Sequence, residues 1–137
     1  SGIRAWHSRA DMLRAIYEGL AFNHLHHSAP LIEAFNVSDV RVSGGVAMSK
    51  RWPQILANTF GMPIGLPEGG ESGALGAAML AAVAAGNFKD LAEANSAMGC
   101  DITYVEPEFE AIEPMRERYE TYRDLVSTVQ PWWGRQS

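Results

Sequence analysis

The chain has little of what marks several common protein classes. It has 137 residues and one cysteine, Cys100, which excludes an intrachain disulfide and a cysteine-based metal cage. Its longest unbroken apolar run, Ala77–Ala85, is far shorter than the ~20 residues that cross a bilayer. No basic segment followed by an apolar one opens the chain as in a signal peptide. We therefore expect a cytoplasmic protein with no membrane partner.

Positive charge is also scarce. The chain has 11 Lys and Arg against 16 Asp and Glu, a formal net charge of −5, and its basic residues form no run. Nucleic-acid binding requires clustered cations that displace counterions from phosphates, so we expect no nucleic-acid partner. A nucleotide remains compatible, because a few backbone N–H groups suffice to bind it. The length predicts one domain that buries roughly two-thirds of its unfolded surface.

The most informative segment is a pair of glycines. A short β-rich run, Val40–Ser43, leads into Gly44 and Gly45 and then into a predicted helix. Glycine adopts positive φ and lets a ligand approach the backbone, while a helix N-terminus presents unpaired N–H groups to an anion. A tight turn that binds nothing produces the same pattern. The segment by itself therefore leaves a phosphate site and a plain turn both open.

The flanking segments extend this pattern. Trp52–Ile64 and Glu71–Ala82 follow the glycines, and Arg14–Phe22 precedes them. In this order and spacing, over about residues 3–129, they resemble the C-terminal domain of the FGGY family of carbohydrate kinases. The resemblance implies an α/β fold of the ribonuclease H-like, actin-like ATPase class, with a mixed sheet flanked by helices. It also implies that residues 1–137 are the nucleotide-binding domain, lacking its first part, and that the N-terminal sugar-binding domain is absent from this chain.

Periodicity and capping residues predict the elements independently of that resemblance. Ser8 and Asp11 have the spacing of a capping box, and Pro30 is expected to kink or restart the first helix. Ser49 is expected to cap the second helix and Gly61 to end it. The predicted helices span 9–27, 31–35, 50–60, 72–85, 90–98 and 108–129, and the predicted strands span 38–43, 62–66 and 102–105.

The same resemblance assigns the nucleotide-binding residues. It implies that Gly44 and Gly45 approach the phosphate and ribose of ATP, that Ser49 lies beside the adenosine, and that Met48 is within reach of the base. For Ser49 a plain helix-capping role stays open, because serine is favoured there on helix grounds alone.

Charge separates this turn from its competitor at Gly69–Gly70. Lys50 and Arg51 flank the first glycine pair with the sign that attracts phosphate, whereas Glu68 and Glu71 flank the second with the sign that repels it. We therefore predict the nucleotide at Gly44–Gly45.

Other candidate residues favour structural roles. His24 and His27 share a helical face, but two ligands are too few for a structural zinc site, so no metal site is expected. Glu18 has no carboxylate or histidine at helical spacing with which to form an acid–base pair, and Tyr17 is expected in the core. Cys100 has no evident activating partner. We predict no catalytic residue in this chain.

By resemblance, the full-length protein phosphorylates a hydroxyl of a sugar or polyol with ATP and Mg²⁺. The general base, most sugar contacts and a second phosphate loop would lie upstream, so the isolated chain is expected to be inactive. Residues Tyr17–Gly19, together with Phe22 and His24, are most similar to members that act on L-xylulose, 3-keto-L-gulonate or related polyols. Two alternatives stay open: a non-kinase actin-like ATPase module whose closure a partner reads, and a structural domain that binds nothing. The sequence leaves open whether the full-length protein is a homodimer.

Overall fold

A computed structural model describes residues 2–69 and 72–133, the last of them by its backbone alone. The first helix, α1, spans Arg9–Phe35. Its capping box is confirmed: the Asp11 N–H donates to Ser8 Oγ at 3.2 Å, and the Ser8 N–H donates to Asp11 Oδ2 at 2.8 Å. The predicted restart at Pro30 is wrong, because one helix runs through this proline, whereas the alternative of a kink stays a prediction. A proline removes only one backbone bond, and the remaining bonds of a long packed helix tolerate its loss.

Three short strands form a mixed sheet, as predicted. Strand β1 is Val40–Arg41, β2 is Ile64–Pro67 and β3 is Ile102–Val105, in the order β1-β2-β3. β1 pairs with β2 in parallel and β3 pairs with β2 antiparallel. β1 is shorter than the predicted 38–43. Its pairing with β2 lies between two backbone hydrogen bonds, from Val40 N to Pro63 O (3.2 Å) and from Val42 N to Gly65 O (3.0 Å).

The remaining helices lie close to their predicted positions. They are α2 (Trp52–Phe60), α3 (Ser72–Ala84), α4 (Leu91–Met98) and α5 (Phe109–Trp133). Gly61 ends α2 in the left-handed region, at φ 64°, as predicted. α5 continues beyond the predicted end at 129, through Pro131 to Trp133. In the described part of the chain, no helix combines the length and apolar character needed to cross a membrane.

The core lies where α1 and α2 meet the sheet. Its buried members are Ala21, Trp52, Leu56, Ala57 and Ile64. α5 packs against α1 and α2, whereas α3 packs chiefly against α4. Between α1 and α5 an aromatic cluster forms, in which the Phe22 ring lies 5.9 Å from Tyr119 and 5.8 Å from Tyr122.

Part of α1 is less buried than its sequence suggests. Met12, Leu13, Ile16 and Leu20 are exposed. Tyr17, predicted in the core, is 37% exposed. That prediction is wrong because only one side of the ring is covered: it packs against Trp52, with ring centroids 5.1 Å apart.

Candidate functional site

The Gly-Gly segment forms a single 3₁₀ turn, Gly44–Val46, just beyond β1. Ala47 N donates to Gly44 O at 3.0 Å, and Ser49 N donates to Val46 O at 3.2 Å. Gly44 has φ +72°, in the left-handed region that glycine favours, whereas Gly45 does not. A Cβ added at either glycine would meet no protein atom within 4 Å. The outer side of this turn is therefore open to a ligand.

The predicted start of the second helix, at residue 50, is two residues too early. α2 begins at Trp52, and irregular backbone separates it from the turn. Proline explains the late start. A helix that began at Lys50 would need a bond from the N–H of Pro53 to the carbonyl of Ser49, and proline has no N–H to donate. Pro53 lies in the first turn of α2, where its missing N–H would have no helical partner.

Ser49 occupies the junction between the turn and α2. Its Oγ accepts hydrogen bonds from Trp52 N at 3.2 Å and from Arg51 N at 3.4 Å. The hydroxyl therefore satisfies N–H groups at the start of α2, as predicted, although Ser49 precedes the assigned N-cap, Arg51. Its own O–H remains a donor that a ligand could use.

Two of the four predicted nucleotide-binding residues line one cavity. Met48 and Ser49 border a cavity of about 360 Å³, together with residues of α2, β2 and β3. Met48 is 83% exposed, so its side chain is accessible. Gly44 and Gly45 are not among the residues that line this cavity, but lie in the adjoining turn. The structure thus places the four residues in neighbouring positions along one short segment.

The charges around this segment have the expected sign. Lys50 and Arg51 are exposed, and neither forms an ion pair with another residue that the structure describes. Arg41 differs from Lys50 and Arg51 in having partners. The Tyr104 hydroxyl and the Asp39 carboxylate raise the pKa of its guanidinium above the ordinary value for arginine. Arg41 is therefore already partnered.

The structure describes only part of the competing helix start at Gly69–Gly70. Gly69 has φ +94° and Glu68 is exposed, its Oε1 accepting a hydrogen bond from Thr103 Oγ1 at 3.1 Å. Gly70 and Glu71 lie outside the described residues. Glu68 keeps the unfavourable sign for phosphate at this position.

A larger cavity of about 950 Å³ was not predicted. It opens between α1, α2 and the start of α5, and Arg14, Tyr17, Ser49 and Trp52 are among its lining residues. The other residues that border it include a polar network joining α2 to α5: Gln54, Asn58 and Glu108. The sequence signal for this network was the pair of amide side chains, Gln54 and Asn58, four residues apart on α2.

Glu18 has the structural role that the sequence favoured. It is buried at the α1–α5 contact, where Oε1 accepts from Arg14 Nε at 2.7 Å and from Arg118 Nη1 at 2.9 Å. This pair of arginines satisfies the carboxylate and ties the two helices together.

The histidines and the cysteine offer no catalytic cluster. His24 and His27 border a cavity of about 470 Å³ beside β1, and Cys100 is exposed. Within residues 2–69 and 72–133 no group of three or more His, Cys, Asp or Glu side chains is arranged to hold a metal ion.

Comparison with known proteins gives this arrangement a context. A model of the C-terminal domain of the FGGY family of carbohydrate kinases matches residues 1–85. The chain is 36% identical over 135 residues to the L-xylulose/3-keto-L-gulonate kinase of Escherichia coli strain K12, which covers 98% of this chain and 27% of that protein. It is 30% identical over 128 residues to the xylulose kinase of Bacillus subtilis strain 168, covering 92% of this chain and 26% of that protein.

Solved structures agree with the sequence relatives. A ligand-bound xylulose kinase from Lactobacillus acidophilus superposes with a TM-score of 0.82 at 27% identity, covering 99% of this chain and 28% of that one. A gluconate kinase from the same organism gives a TM-score of 0.81 at 27% identity, again over 99% of this chain and 28% of that one. These likenesses confirm the α/β, actin-like ATPase fold. The chain spans about a quarter of the length of these relatives.

Proposed function

Because the chain belongs to the FGGY family of carbohydrate kinases, we propose that the full-length protein transfers the γ-phosphoryl group of ATP to a hydroxyl of a sugar or polyol. In this proposal the chain is the C-terminal, nucleotide-binding domain without its first part. The sugar-binding domain and the general base lie in the remainder of the polypeptide. The single observation that carries the proposal is the family match across residues 1–85, which includes the Gly44–Gly45 turn.

The proposed acceptor is a ketopentose, a related keto-acid sugar or a polyol. Support comes from the relative of Escherichia coli, named for L-xylulose and 3-keto-L-gulonate, which aligns with 98% of this chain. The proposed compartment is the cytoplasm, where ATP is available. A homodimer of the full-length protein stays a prediction.

Within the chain, Gly44 and Gly45 are proposed to lie against the phosphate and ribose of ATP, Ser49 against the adenosine and Met48 against the base. The open outer side of the glycine turn supports this, because a ligand can reach the backbone without meeting a protein side chain. The exposed Lys50 and Arg51 add favourable charge beside it. The role of these residues is to bind and orient the nucleotide, and positioning dominates catalysis of phosphoryl transfer.

Mg²⁺ would neutralise the phosphates during transfer. The described residues do not fit a metal site of their own, since they provide no cluster of carboxylate or histidine ligands. We therefore propose that any Mg²⁺ is held by the nucleotide and by residues other than those that the structure describes. The non-kinase ATPase module is the weaker alternative, because the named relatives are carbohydrate kinases.

The first experiment tests the turn. Gly45→Val in the full-length protein should weaken ATP binding strongly and leave sugar binding nearly unchanged, because a branched side chain would occupy the space proposed for the ligand. Gly45 has no positive φ and open space around it, so the variant should fold. Gly73→Val, at another exposed glycine with open space, is the matched control. Unchanged ATP affinity in a folded Gly45→Val protein would contradict the placement.

The second experiment tests whether phosphoryl transfer requires the rest of the full-length protein. ADP release would be measured for the isolated chain and for the full-length protein across ketopentoses, keto-acid sugars, polyols and glycerol. We expect sugar-dependent release only from the full-length protein, because one face of the site lacks a base and the water exclusion that domain closure provides. Turnover by the chain alone would show that its site is complete.

A further inference from the structure

We propose that Tyr17 is a positioning residue for the nucleotide site, which holds Trp52 and, through it, the hydroxyl of Ser49. The inference rests on the proposed function, because it assigns a further residue to the nucleotide site to which Ser49 is proposed to belong. Tyr17 itself lies on α1 and is not proposed to touch ATP.

The first step is the link between Trp52 and Ser49. The backbone N–H of Trp52 donates to Ser49 Oγ at 3.2 Å. Ser49 N in turn donates to Val46 O, within the glycine turn. The direction of the Ser49 hydroxyl therefore depends on where the first residue of α2 lies.

The second step is the packing of Trp52. Its indole is 8% exposed and belongs to the core with Leu56 and Ile64. The Tyr17 ring covers it at 5.1 Å between centroids with an interplanar angle of 57°, a favourable tilted arrangement. Both rings border the 950 Å³ cavity. Removing the Tyr17 ring would expose this side of the indole to the cavity and loosen the first turn of α2.

The third step is what holds Tyr17 in place. Its neighbour Glu18 accepts hydrogen bonds from Arg14 on α1 and from Arg118 on α5. α1 is thereby tied to α5 at the turn that carries Tyr17. A continuous series of contacts thus runs from α5 through Glu18, Tyr17 and Trp52 to Ser49.

The test uses steady-state kinetics of the full-length protein. Tyr17→Leu should raise the KM for ATP about three- to tenfold, the range that corresponds to the loss of an aromatic pair. The KM for the sugar and kcat should change much less. Tyr17→Phe keeps the ring and should restore most of the ATP affinity. Phe22→Leu is the matched control, since it removes another ring of α1 that packs on Tyr119 and Tyr122.

The variants separate this inference from the proposed function. If Ser49→Ala and Gly45→Val both leave the KM for ATP unchanged, the nucleotide placement is wrong and this inference is wrong with it. If they raise it while a folded Tyr17→Leu does not, only the role of Tyr17 is refuted. A rise of equal size in Phe22→Leu would also refute it, because general destabilisation would then suffice.

Two further measurements keep the outcome decisive. The effects of Tyr17→Leu and Ser49→Ala on the KM for ATP should be clearly less than additive, because both act on the same hydroxyl. Full additivity would refute the inference. Should Tyr17→Leu fail to fold, Trp52→Phe weakens the same contact from the other ring and should raise the KM for ATP similarly. An unchanged KM in Trp52→Phe would then count against the proposal.

Discussion

Replacing Asn58 with Asp should uncouple α5 from α2. Asn58 is 6% exposed, and its Oδ1 accepts hydrogen bonds from Glu108 N at 2.8 Å and from Gln54 Nε2 at 3.0 Å. Its Nδ2 donates to Glu108 Oε2 at 3.0 Å. Aspartate keeps the shape and the accepting oxygen, but it replaces the donor by a second carboxylate oxygen that faces Glu108.

The expected cost follows from that distance. Two carboxylate charges 3.0 Å apart repel by about 5 kcal/mol at an effective dielectric constant near 20. Protonating one of them instead costs about 4 kcal/mol at pH 7, from ~1.4 kcal/mol per pH unit above an ordinary pKa near 4. Protonation costs less than the repulsion, so about 4 kcal/mol is the upper limit of the destabilisation. Because Glu108 is exposed, solvent screening lowers the cost further, and we expect about 2 to 3 kcal/mol at pH 7.

The pH dependence identifies the cause. The shared proton raises the pKa of the new carboxyl pair in the folded state. The loss of stability should therefore be small near pH 4 and grow as the pH rises through that raised pKa. Urea unfolding between pH 4 and 8 measures it. Asn58→Asp combined with Glu108→Gln should regain most of the stability, since the glutamine amide can donate. A pH-independent loss, or no recovery in the double variant, would refute the reasoning.

Three further changes probe other parts of the chain. Gly65→Ala should lower the free energy of unfolding by about 1 to 3 kcal/mol. The added Cβ would lie 3.0 Å from Ile102 Cγ2 and 3.1 Å from Tyr104 Cε1. A variant that is as stable as the parent in urea unfolding would count against this packing. Asp11→Ala should lower stability at pH 7, since hydrogen bonds from Ser8 lower the pKa of Asp11 below its ordinary value, and the difference should shrink as the pH falls through that lowered pKa. A difference in unfolding free energy that stays constant as the pH falls would exclude the carboxylate as its cause. Changing His24 and His27 together to Gln should leave ATP kinetics and metal content unaltered, whereas loss of bound zinc in elemental analysis would reveal a metal site.

Local signals in the sequence predicted most element boundaries. The Ser8–Asp11 capping box and Gly61 mark helix ends through bonds and backbone angles that those residues alone determine. Pro30 was misjudged because its effect depends on the rest of α1, whose packing outweighs one lost bond. The length of β1 depends on its pairing with β2, and a partner distant in sequence leaves no local signal.

The candidate site divides in the same way. Gly44, Gly45, Met48 and Ser49 lie in one short segment of the chain, so their proximity followed from the sequence. Pro53 could have excluded the predicted start at Lys50, because its missing N–H leaves the Ser49 carbonyl without a helical partner. The contact between Tyr17 and Trp52 could not be read, because it depends on how α1 crosses α2. Periodicity predicts that Tyr17 faces inward, but not that one side of its ring stays uncovered.

The packing of α3 chiefly against α4 has a consequence for the order in which the domain opens. Met79 and Ala94 are the buried residues of these two helices, whereas α1, α2 and β2 share the main core. A unit with few buried contacts opens at a lower free energy than the core to which it is attached. The amides of α3 and α4 should therefore exchange with deuterium before those of α2. This helical pair would behave as a separate cooperative unit, able to open and close while the glycine turn keeps its shape.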